Sequence, residues 1–245
     1  TMTRSVPCMI LRGGTSKGVY LREIDLPQDL CTKKRTILSI FGSPDRRQID
    51  GIGGADPLTS KVCIVGTPPF ENSNAKGADL TYTFGQVGIS EAFVDFRALC
   101  GNLTSGVGVF AIWKNLVKGI EPKTIVKIYN TNLDRILIAE IPVKNEIPME
   151  SGDYSIPGVP GTGAKINIDF SDTAGSSSGG LLPTGNPVDV LKIPGVGALE
   201  TSMVDIGNAH VFVRAEDLEL EGTETAHQID SNPDLLNKLE KIRGY

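Results

Sequence analysis

The chain has 245 residues, 40% of them hydrophobic and 22% charged, enough for one large or two medium globular domains. A formal charge of −5 argues against a nucleic-acid or anionic-membrane partner, although small anions bound by local dipoles remain open to it. No run of about 18 apolar residues is present, so no membrane span is expected.

Four cysteines (Cys8, Cys31, Cys63, Cys100) share no CxxC spacing, and His210 and His227 fall outside any metal-ligand spacing. Neither a disulfide framework nor a metal site is expected. The polar opening of residues 1–6 does not resemble a signal peptide. The composition reads as a cytoplasmic chain without metal or cofactor, rich in tight turns from its 28 glycines and 15 prolines.

In chain order, residues 6–11 and 19–21 predict two short strands around the break Arg12-Gly13-Gly14. From Pro27 onward, Leu30, Ile37, Leu38 and Phe41 predict a helix closed by Gly42. Strands are predicted at 61–65, 80–87 and 92–96. A hairpin is predicted from 125–129 and 136–141 through a turn at 130–134, and a further strand at 164–170. Between Leu99 and Lys118 the apolar residues leave almost no polar face. A helix of that kind belongs in the middle of a domain.

Residues 174–187, rich in Gly, Ser and Pro, predict a linker. Beyond it a faint repeat emerges: Gly18-Val19-Tyr20-Leu21-Arg22 with Asp25-Leu26 resembles His210-Val211-Phe212-Val213-Arg214 with Asp217-Leu218. A helix follows each copy, the second opened by Asn232 and Pro233 and ended at Gly244. The second copy stops where the first has barely begun. The expectation is therefore one domain at 1–182, and at 183–245 a linker with the truncated start of another, which a missing portion or a complementing chain completes.

Three segments have residue types suited to chemistry. Cys100-Gly101-Asn102 stands at the predicted start of the apolar helix, where unpaired N–H groups and the dipole favour a carboxylate or a thiolate. The bland reading, a small core cysteine, carries equal weight there. The loop Arg12-Gly13-Gly14-Thr15-Ser16-Lys17-Gly18 offers N–H groups and hydroxyls to an anion but lacks P-loop spacing. The loop at 50–60 runs into Lys61, which at a strand mouth is a candidate base. Together, without metal or cofactor signals, they point to proton transfer.

At residues 12–18, 42–45, 48–61 and 100–108 the chain resembles the PrpF family, which includes methylaconitate, methylitaconate, oxalomesaconate and aconitate isomerases. The stretch Ala55-Asp56-Pro57-Leu58-Thr59-Ser60-Lys61 resembles the methylitaconate branch most. The resemblance implies an α+β, diaminopimelate-epimerase-like fold: strands wrapped around a central buried helix, duplicated, with substrate in the cleft between the two domains. It covers about the N-terminal two thirds of a family member.

It further implies Lys61 and Cys100 as catalytic residues. Ser16, Gly101 and Asn102, with Thr15 and Lys17 of the same loop, become carboxylate contacts. Asn208 and His210 resemble a substrate-contacting Asn-Pro-His turn of the wider superfamily, with Ala209 in place of the proline. The implied activity is a cofactor-independent proton shift on a small unsaturated di- or tricarboxylate, by allylic 1,3-shift or cis–trans isomerisation. Two alternatives stand beside it: an amino-acid epimerase using two thiols, the second of which is not visible here, and a non-catalytic polycarboxylate-binding accessory protein. A homo-oligomer is compatible with either.

Overall fold

A computed structural model describes residues 5–68 and 73–245, so the first residues of the polar opening lie outside the described part. The chain divides into two compact units, one ending at Thr173 and the other spanning Ala174–Tyr245.

The first unit is built on a mixed sheet. β1 (Cys8–Gly13) and β2 (Ser16–Arg22) form an antiparallel hairpin turned by Gly14 and Thr15, with Gly14 at a φ of 53°. After α1 (Leu30–Phe41), β3 (Lys61–Gly66) lies parallel to β2, and β4 (Leu80–Val87) runs antiparallel to β3. β5 (Val94–Asp95) pairs with β4, and α2 (Gly101–Trp113) follows. β6 (Lys123–Asn130) is parallel to β4, and β7 (Arg135–Lys144) returns antiparallel beside it. β7 also pairs with the short β8 (Ile147–Pro148) and β9 (Asn167–Asp169).

Strand alternation sorts the side chains into two cores. Val19 and Leu21 of β2 and Val62 and Ile64 of β3 pack with Ile37 and Phe41 of α1. Tyr20 of β2 and Cys63 and Val65 of β3 pack with Leu103, Val107, Phe110 and Ala111 of α2. α1 starts where Asp29 accepts the Thr32 N–H at 2.8 Å and stops where Gly42 takes a φ of 73°. α2 buries eight of its 13 residues and has no polar stripe, as a helix between packing partners must.

The contact of α2 with β2 is close enough to require glycine. A Cβ on Gly106 would stand 2.3 Å from Tyr20 Oη and 2.7 Å from its Cζ. Gly106→Ala is expected to destabilise the unit by about 1–3 kcal/mol through overpacking, despite alanine's better helix propensity. A denaturant midpoint unchanged or raised would contradict that packing.

In the second unit β10 (Asp189–Ile193), β11 (Gly197–Ile206) and β12 (Asn208–Val213) form an antiparallel sheet. The short α3 (Ala226–Asp230) and α4 (Pro233–Arg243) follow, α4 capped by Asn232. Ile193, Leu199, Leu218, Leu235 and Ile242 make its core. The Gly- and Ser-rich stretch from 174 is held by Asp205, whose Oδ2 accepts from Ser177 N, Ser178 N and Ser178 Oγ.

The strand predicted at 164–170 is reduced to Asn167–Asp169, and that at 92–96 to Val94–Asp95. β10 and β11 lie where the sequence predicts no strand. β11 alternates Leu199, Thr201 and Asp205 inward with small and charged residues, a weak apolar signal.

Candidate active site

Lys61 is the first residue of β3, and its neighbours fix its backbone on both sides: Gly18 across the parallel pair and Gln86 across the antiparallel one. By alternation it shares a face with Cys63 and Val65 and so points toward α2. Ser16, at the start of β2, shares that face with Tyr20. Cys100 is the N-cap of α2, with φ −109° and ψ 101°. Its carbonyl accepts from Thr104 N at 3.2 Å and Thr104 Oγ1 at 3.0 Å, while its side chain makes no capping bond. The thiol is thereby left to face the sheet.

Three residues separated widely in sequence meet there. The Lys61 ammonium donates to Ser16 Oγ at 3.1 Å and to Cys100 Sγ at 3.5 Å. It also lies 6.0 Å from the centroid of the Phe84 ring. Lys61 and Cys100 are each 8% exposed and Ser16 2%. Among the described residues no ion pair gives Lys61 a carboxylate. Burying an ammonium without a counter-ion costs several kcal/mol, so an anion at this spot would be strongly favoured.

The hairpin turn closes onto the helix start. Asn102 Nδ2 donates to Thr15 Oγ1 at 3.0 Å and reaches Ser16 Oγ at 3.5 Å. A Cβ on Gly13 would stand 2.4 Å from the Asn102 carbonyl oxygen, so only glycine allows that approach. Thr15, Gly101 and Asn102 are exposed, in front of buried Ser16, Lys61 and Cys100. The first N–H groups of α2 lack partners within the helix and add a positive end to the same place.

Lys17 goes elsewhere. It has the parity of Val19 and Leu21, and its ammonium lies beside Gly54, 3.2 Å from where a Cβ would sit. Asn208 and His210 lie on β12 of the second unit, where His210 Nδ1 contacts the Asn208 carbonyl at 2.7 Å and its ring stacks on Phe212.

Behind the cluster is a sealed layer that the sequence did not single out. Tyr20 Oη donates to the Leu103 carbonyl at 2.6 Å, and Cys63 Sγ lies 3.9 Å from Tyr82 Oη. Burial, above all, pushes the Cys63 thiol far above its ordinary range, and burial followed by the nearby Cys63 raises both tyrosines. All three are neutral at physiological pH. Native protein treated with iodoacetamide at about pH 8 should therefore be modified at exposed Cys8 and Cys31 and spared at Cys63, as peptide mass spectrometry would show. Rapid labelling of Cys63 would contradict a sealed layer.

Among the described residues no three His, Cys, Asp or Glu side chains are placed to hold a metal, and no helix is long and apolar enough to cross a membrane. The family model described as PrpF protein matches residues 3–245. The chain belongs to the PrpF family. The resemblance carried by the three loops thus extends over almost the whole sequence.

Among relatives, 3-methylitaconate isomerase of Eubacterium barkeri is 51% identical over 239 residues, 98% of this chain and 61% of that protein. (4E)-oxalomesaconate Delta-isomerase of Novosphingobium is 44% identical over 239 residues, 98% of this chain and 64% of that one. This PrpF chain therefore spans a little over three fifths of the length of these relatives. The crystal structure of methylitaconate-delta-isomerase matches with a TM-score of 0.76 and 51% identity, over 97% of this chain and 60% of the other. A probable proline racemase from Agrobacterium radiobacter matches at 0.53 and 11% identity over 95% of this chain and 59% of its own, a likeness of fold alone. The α+β class with a mixed sheet is shared with both.

Proposed function

We propose that this chain carries the acid–base pair of a cofactor-independent isomerase that moves a proton within a small unsaturated di- or tricarboxylate, most like 3-methylitaconate. The observation that carries the reading is the buried Lys61 ammonium, set between Ser16 Oγ and Cys100 Sγ at the start of α2 without a carboxylate of its own. The relatives named above are isomerases of compounds of this class.

The chemistry follows from the geometry. A substrate carboxylate brought to the start of α2 meets its N–H groups, Asn102 and the Thr15 and Ser16 hydroxyls. One member of the Lys61–Cys100 pair removes the allylic proton alpha to a carboxylate, and the electron pair spreads into a dienolate. The other member returns a proton at the far end of the allyl system, so the double bond moves and no atom is gained or lost. Lys61 is the first choice for base, as the neutral amine left when its proton passes to the Cys100 sulfur beside it, and the thiol so formed is the acid; the two roles can be exchanged. The carboxylate's own charge opposes the dienolate, and fixed donors offset that cost; one well-aimed donor contributes about 3 kcal/mol. Lys17, Asn208 and His210 are candidates by resemblance alone.

The fold reading extends in the same way. α2 is taken as the central helix of an epimerase-like domain, and the second unit as the start of its duplicate. In support, β2 leads through a 3-10 turn to α1 as β12 leads through one, and then the short α3, to α4. Each turn carries an i,i+3 ion pair at the matching place, Arg22–Asp25 at 2.9 Å and Arg214–Asp217 at 3.3 Å.

The test is a substrate panel of methylitaconate, methylaconitate, oxalomesaconate and aconitate, followed by the ultraviolet absorbance of conjugated product with the complete polypeptide. Turnover of at least one, methylitaconate first, is expected. Tight binding of these acids with no absorbance change for any would leave a binding protein instead.

A further inference from the structure

Residues 43–60, between α1 and β3, contain no helix or strand, and one side chain ties them together. Gln48 is 1% exposed. A buried amide needs its partners, and this one has them. Its Oε1 accepts from the Ala55 N–H and the Ser60 hydroxyl, both at 2.8 Å, and its Nε2 donates to Ser43 Oγ at 2.9 Å. The Gln48 N–H donates to Asp45 O, and its carbonyl accepts from Gly51 N. A single amide thus joins the start, the middle and the end of the segment.

Two observations indicate more than space filling. Gln48 holds a φ of 49°, a left-handed conformation that persists only where surroundings over-determine it, often near functional sites. Its last partner, Ser60, is fully buried and directly precedes Lys61. The Ser60 carbonyl accepts from Val87 N and Gln86 Nε2, each at 3.0 Å. Strand pairing therefore fixes the Lys61 backbone from the sides, and Gln48 fixes it from behind.

We propose that Gln48 is a positioning residue for the acid–base pair: by holding Ser60 it aims the Lys61 ammonium at Ser16 and Cys100. The proposal rests on the reading of Lys61 and Cys100 given above. It has kinetic weight because a misplacement of about 1 Å costs about a hundredfold in rate.

The test uses steady-state kinetics of the complete polypeptide, at a temperature where circular dichroism shows each variant folded. Gln48→Met keeps the length of the side chain and removes its hydrogen bonds. Its kcat is expected to fall by about tenfold to a hundredfold, with KM within about twofold of the parent. Gln48→Glu keeps acceptor oxygens for Ala55 and Ser60 and is expected to recover most of that loss, a rescue that space filling does not give. Should Gln48→Met fail to fold, Ser60→Ala removes one bond alone and has the same signature, lower kcat at unchanged KM.

A folded Gln48→Met or Ser60→Ala with kcat within about twofold of the parent overturns the proposal. So does a Gln48→Glu no better than the methionine variant. Lys61→Ala separates the two levels: if it is active, the site reading itself fails, whereas an inactive Lys61→Ala beside a fully active Gln48→Met sinks only the role of Gln48.

Discussion

Replacing Lys61 by alanine is expected to lower kcat by about 10²–10⁴-fold, the contribution of a positioned general acid or base, while the fold is kept. The loss of a proton carrier sets the size of the effect. Retention of the fold follows from the environment: the Lys61 side chain is buried against a hydroxyl, a sulfur and an aromatic ring, with no carboxylate paired to it among the described residues. Removing a buried amine that has no carboxylate partner lifts a desolvation cost even as it leaves a small cavity. Circular dichroism and thermal melting should match the parent. Near-parental turnover in Lys61→Ala would end the assignment.

Cys100→Ser should separate stability from activity. Cys100 already has the extended backbone of an N-cap, but its side chain does not cap. Serine is among the best N-caps, and its hydroxyl would turn toward the N–H groups of Asn102 or Leu103. Helix α2 and its unit are then expected to gain about 0.5–1 kcal/mol. The same turn takes the group away from Lys61, and a hydroxyl is a far weaker acid than a thiol, so kcat should fall by about 10²-fold or more. A gain in stability paired with a loss of turnover is the result expected of a cysteine placed for proton transfer rather than for packing. If Cys100→Ser is as active as the parent, Cys100 is a packing residue.

The sequence displayed the elements that carry strong local signals. The Pro27–Gly42 punctuation framed α1, and the missing polar face of residues 99–118 marked α2. β11 carries only a weak strand signal because its inward positions include Thr201 and Asp205, which break the apolar alternation that identifies a strand. At the site, the residue types and loops were legible, but their meeting was not. Lys61 reaches Cys100 only because β3 lies parallel to β2 and α2 packs on the face that Ser16 and Lys61 share. Such long-range pairings leave no local pattern.

Lys17 shows the converse. It belongs to the same loop as Ser16, yet one residue of strand alternation separates their faces and its ammonium lies beside Gly54. Gln48 opens one of the segments that resemble the family, but its burial has no sequence signal, since a glutamine in an irregular stretch ordinarily faces water.

The central claim is that Lys61 and Cys100 exchange protons with a bound polycarboxylate, and proton NMR of methylitaconate turnover in deuterated buffer addresses it most directly. Solvent deuterium should appear at the newly protonated carbon in step with isomerisation, and both should disappear together in Lys61→Ala. A product that keeps only the substrate's own hydrogens, or deuterium uptake undiminished without Lys61, would contradict it.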